Sequence, residues 1–100
     1  MTLLDKHIID IRKLCSDHNV KHLYAFGSVL TNKFDNESDV DLVVDFDPID
    51  ISRYADNYYD FKFSLQKILN RYVDLLEEKA IKNPYFKQTL NQQRQLIYGH

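Results

Sequence analysis

The run 39–46, Asp-Val-Asp-Leu-Val-Val-Asp-Phe, alternates acidic and apolar residues more cleanly than any other stretch of the chain. Successive side chains of a strand point to opposite faces. Val40, Leu42, Val44 and Phe46 therefore share a face suited to a core, and Asp39, Asp41, Val43 and Asp45 share the other. Strands ordinarily avoid Asp. An apolar strand face has to be covered by another layer, which points to a layered fold. The acidic face requires a separate explanation.

The flanking segments supply the cover. Residues 3–18 read as a helix with Leu4, Ile8, Ile11 and Cys15 on one stripe and Asn19 as a stop. Residues 20–26 (VKHLYAF) read as a strand ended by Gly27, with a polar connection at 28–38 holding a helical turn after Ser28. Residues 50–70 read as the longest helix, with Ile51, Tyr54, Tyr58, Phe61, Leu65 and Ile68 at helical spacing. A third strand is expected at 72–77 and a last helix at 83–98. In that last helix Asn83 suits the N-cap, Pro84 the first turn and Gly99 the C-cap. Phe86, Leu90, Gln93 and Ile97 give its stripe. The expected architecture is α/β, a small mixed sheet flanked by helices.

At 100 residues the chain is expected to form one domain, 1–100. Thirteen basic and fifteen acidic residues leave a net charge of −2, which argues against a nucleic-acid partner. No apolar run approaches the length of a membrane span, and Asp5, Lys6 and His7 interrupt any secretory segment after Met1. With a single cysteine, Cys15, the chain can form no internal disulfide, and a cytoplasmic location is expected.

The acids suggest chemistry. Asp39 and Asp41, two apart on a strand, point the same way. Close carboxylates repel and raise a pKa, a cost that a divalent metal removes. Magnesium is often held by one or two carboxylates plus substrate phosphates. Asp74 lies inside the third strand, among Tyr72, Val73, Leu75 and Leu76. If that strand neighbours the second, Asp74 faces Asp39 and Asp41, a set suited to in-line phosphoryl or nucleotidyl transfer. Gly27 permits close backbone approach, and Ser28 opens a turn whose N–H groups could hold phosphate. Taken singly these features are ordinary: most Asp-x-Asp pairs are solvated, and most Gly-Ser pairs are turns. A calcium loop is excluded, because Val40 and Phe46 stand where it needs Gly and Glu.

Gly27-Ser28, ten residues, then Ser38-Asp39-Val40-Asp41-Leu42-Val43-Val44 resembles the signature of the polymerase-beta-like nucleotidyltransferases, and most nearly the minimal nucleotidyltransferases. Val73-Asp74-Leu75 resembles the strand of their third acid, and the segments 80–85 and 96–99 resemble their closing helix. The resemblance implies the polymerase-beta-like fold and transfer of a nucleoside monophosphate, AMP from ATP, to an acceptor hydroxyl. By that likeness Asp39 and Asp41 hold magnesium, Asp74 activates the hydroxyl or shares the metal, and Gly27 and Ser28 grip the triphosphate. It also implies an antitoxin role beside a HEPN-type toxin, some family members adding AMP to a tyrosine of that partner. Val29, Leu30 and Asn32 depart from the family's usual basic residue, Ala and Gly, and Lys33 is a substitute charge. Two alternatives stay open: a silent antitoxin acting by binding alone, and a transferase acting on a small hydroxylated molecule such as an aminoglycoside.

Other features carry less. His18 and His22 make a poor ligand pair, and Cys15 reads as core. Tyr59 and Phe63 lie off the main stripe of the long helix, which fits either a partner surface (a toxin or a second copy) or burial under a neighbouring loop.

Overall fold

A computed structural model describes residues 2–30, 35 and 38–99. In chain order the elements are α1 (Thr2–Lys6), α2 (Ile8–Asp17), β1 (Val20–Phe26), β2 (Val40–Phe46), α3 (Ile51–Leu69), β3 (Val73–Glu77), α4 (Pro84–Gln93) and β4 (Gln95–Tyr98). Short 3-10 turns follow β1 and β3. The strands form one sheet in the order β3-β2-β1-β4. β1 runs antiparallel to both β2 and β4, and β2 runs parallel to β3, so the sheet is mixed as expected.

One face of the sheet is sealed. Val40, Leu42, Val44 and Phe46 join Leu23, Ala25, Val73 and Leu75 in a core closed by Ile11 and Cys15 of α2 and by Phe61, Leu65 and Leu69 of α3. Burial pushes the Cys15 thiol up to about 12, as suits a packed rather than a reactive cysteine. α3 stops at Asn70, whose φ of 53° is the left-handed stop that Asn tolerates. Asn19, at φ 60°, turns the chain from α2 into β1.

The other face is covered in part by α4. Phe86 meets Phe26 edge-on at 6.4 Å, and the Arg94 guanidinium lies 3.9 Å over the Tyr24 ring. Val43, although it alternates with the acids, is buried there, as is Leu90 of α4.

Three expectations need correction. The first helix is interrupted at His7, giving α1 and α2. Ile51 is 89% exposed rather than a core residue, since the first residue of α3 precedes the part that reaches the core. The last helix stops at Gln93 instead of running to 98, and the segment 96–99 is not helix. Arg94 turns extended (φ −70°, ψ 147°), and the chain pairs with the outer edge of β1, Leu96 opposite Tyr24 and Tyr98 opposite Leu23. Beyond Leu90 the helical stripe offers only Gln93, whereas the edge of β1 offers backbone partners and lets Ile97 reach the core. Gly99 is therefore no helix cap. Its φ is 104°, and a Cβ there would fall on the Lys21 carbonyl oxygen.

Candidate active site

β2 and β3 run in register with Asp41 directly beside Asp74. On the other side of β2, Asp41 faces Phe26, the last residue of β1. Three adjacent strands therefore bring Asp41, Asp74 and the start of the Gly27 turn to one end of the sheet. Asp39, one same-face step before Asp41, lies just outside the strand and is exposed, as is Asp74; Asp41 is half-buried. Asp45, the next acid on that face, is held 3.6 Å from His22 Nδ1 and belongs to a separate pair.

Burial raises the Asp41 carboxyl pKa first, and the charges of Asp74 and then Asp39 raise it further. Those two neighbours are the other members of the acidic set. Gly27 adopts φ 75°, and a Cβ there would lie 2.7 Å from Asp41 Oδ2. Only glycine lets the backbone turn against that carboxylate. The chain then enters a 3-10 turn, Gly27–Leu30, so the expected turn begins one residue earlier than Ser28. Val29 is buried in the core and pins the turn to the sheet, which accounts for an apolar residue at that position. The Ser28 side chain, Asn32 and Lys33 lie outside the described residues.

Entry into β2 is held by a residue the sequence did not single out. Arg71 Nη1 donates to the carbonyl oxygens of Ser38 at 3.0 Å and Asp35 at 2.5 Å. Val40 N–H donates to the Tyr72 carbonyl at 3.0 Å. The turn after α3 thereby fixes the chain immediately before Asp39. An arginine beside a left-handed Asn is the sole sequence trace of this clamp.

The donor set suits a hard cation. Among the described residues no group of three His, Cys, Asp or Glu side chains forms a ready-made cage. Magnesium does not require one: it takes one or two carboxylates and completes its shell with water and phosphate. The mutual repulsion acting on Asp41 is the penalty such a cation would remove. His18 and His22 are engaged elsewhere, His22 with Asp45. His18 Nε2 lies 2.6 Å from Asp60, and its Nδ1 lies 2.8 Å from the Leu14 carbonyl oxygen.

The described surface also holds hollows away from these acids. A groove of about 810 Å3 lies beyond the opposite end of β2, against α3, lined by Pro48, Ile49, Asp50, Asp56, Tyr59 and Phe63. Tyr59 and Phe63 stack at 5.9 Å and are 53% and 56% exposed, and no loop among the described residues buries them. This groove is larger, but Asp39, Asp41 and Asp74 do not line it. A smaller hollow of about 290 Å3 lies between the end of β3 and α4.

Comparison with known proteins agrees with this geometry. A sequence profile described as "Nucleotidyltransferase domain" matches residues 8–97. The chain is 35% identical over 97 residues to "Putative protein adenylyltransferase MJ1379" of Methanocaldococcus jannaschii, spanning 96% of this chain and 90% of that one. Among solved structures, one described as a minimal nucleotidyltransferase superposes with a TM-score of 0.77 at 25% identity, covering 95% of each chain. Another is a complex of a tri-AMPylated Shewanella oneidensis HEPN toxin with its MNT antitoxin (TM-score 0.66, 21% identity, 96% of this chain and 72% of that one). The mixed four-stranded sheet with its helices is the polymerase-beta-like nucleotidyltransferase fold. This chain belongs to the nucleotidyltransferase domain family, and it is a nucleotidyltransferase.

Proposed function

We propose that this protein transfers AMP from ATP, with magnesium, to a hydroxyl of a partner protein, and that it acts as the antitoxin of a HEPN-type toxin. The observation that carries the reading is the alignment of Asp41 beside Asp74, with the Gly27 backbone against Asp41 on the other side. Asp39 and Asp41 would hold the metal, which when bound neutralises charge on the transferring phosphate. Asp74, exposed on the outermost strand, stands where an incoming hydroxyl can reach it and takes its proton or shares the metal. Gly27 and Ser28 would hold the triphosphate through the N–H groups of the 3-10 turn. The names of the archaeal relatives support adenylyl transfer to protein, and the Shewanella complex supports a HEPN partner.

The test uses ATP labelled on its α-phosphate, magnesium and the product of the neighbouring gene. Label should pass to the partner and fall by at least about 100-fold with Asp39→Ala or Asp41→Ala. Absence of label, with neutralisation intact in both variants, would establish the silent antitoxin instead.

A further inference from the structure

We infer that the hollow between β3 and α4 receives the base of the nucleoside triphosphate. The inference rests on the transferase reading and extends it to the nucleoside. Leu76 follows Asp74 on the same face of β3, about 7 Å further along the strand. Phe86, from α4, forms the opposite wall and is 40% exposed. Its ring also meets Phe26, which stands beside Asp41 in the sheet register. Two of its lining residues thus adjoin the acidic end: Leu76 through Asp74 on β3, and Phe86 through Phe26 beside Asp41. Its volume of about 290 Å3, with Ala80 and Ile81 as apolar lining and Glu77, Lys82 and Asn83 as polar lining, fits a flat ring with polar edges.

The order of the strands selects the occupant. In-line displacement places the leaving group and the attacking hydroxyl on opposite sides of the α-phosphorus. Pyrophosphate belongs at the Gly27 turn at the end of β1. The hydroxyl then arrives across the open outer edge of β3, where Asp74 is exposed. The nucleoside takes the remaining direction, along the strands and under α4, towards Leu76 and Phe86. A base there stacks on an aromatic ring, a contact that tolerates differences in ring chemistry.

The experiment compares two probes by calorimetry in magnesium: ATP, and inorganic tripolyphosphate, which has no base. Phe86→Ala removes the ring, and Ala80→Leu narrows the hollow. Both should weaken ATP about tenfold and leave tripolyphosphate within about twofold. Unchanged ATP binding in both variants would overturn the subsite, and so would an equal loss for both probes. Failure of the unaltered protein to bind either probe would overturn the transferase reading and the subsite with it. Tripolyphosphate binding with no added affinity for ATP would overturn the subsite alone.

Discussion

β2 serves two regions that differ in almost every respect. On one face Val40, Leu42, Val44 and Phe46 are packed beneath α2 and α3. On the other, Asp41 stands beside Asp74 and near Asp39, and burial and like charge raise the Asp41 carboxyl pKa. The packed face lowers the energy of the fold, whereas the acidic end raises it while no cation is bound. One strand can do both because its side chains alternate. The lesson is that stability and chemistry can be perturbed separately.

The largest expected effect lies on the packed face. Phe61 is fully buried and meets Phe46 at 5.9 Å. Phe61→Ala should cost about 3–5 kcal/mol in urea unfolding. A loss below about 1 kcal/mol would mean that this face is not the main source of stability.

Gly27→Ala addresses the junction of the two regions. A side chain at φ 75° costs about 1–2 kcal/mol, and its Cβ would displace the Asp41 carboxylate. Magnesium-dependent ATP binding should fall by more than about tenfold, a larger effect than the modest drop in melting temperature. Melting and binding that decline only in proportion would blur the distinction.

The smallest effect is expected at the acidic end, and it has the opposite sign for stability. Asp74→Asn removes one charge that raises the Asp41 pKa. Without magnesium at neutral pH the variant should melt slightly higher, by up to about 3 °C, while transfer is lost. The pH dependence follows from the direction of the shift. A carboxyl raised above its unfolded value favours the fold below the unfolded pKa, and that contribution is lost as pH rises through the folded pKa. The variant's advantage should therefore disappear on acidification, as Asp41 is protonated in both proteins. An advantage independent of pH would assign the gain to something other than charge.

Much of this was legible in the sequence. Alternation over 39–46 divided the faces of β2 correctly, and the strand at 20–26 and the helix at 50–70 were readable within a residue or so. The Gly27-Ser28 and Asp39-Val40-Asp41 spacing pointed to the nucleotidyltransferase family. The last segment was misread because helical spacing from Phe86 to Ile97 is a local property. The unpaired edge of β1 that captures Gln95–Tyr98 comes from a distant part of the chain. Arg71 was missed for a similar reason: its partners are the carbonyls of Ser38 and Asp35, and carbonyls carry no sequence signal.

The sequence alone determined which residues could carry chemistry and which face of each strand they occupy, because side-chain type and local periodicity are properties of neighbouring residues. Tertiary structure decided which carboxylates meet. Asp74 lies beside Asp41 because β3 pairs with β2 in parallel and in that register. The choice depends on how α3 returns the chain across the core, a balance of packing that no short stretch of sequence contains.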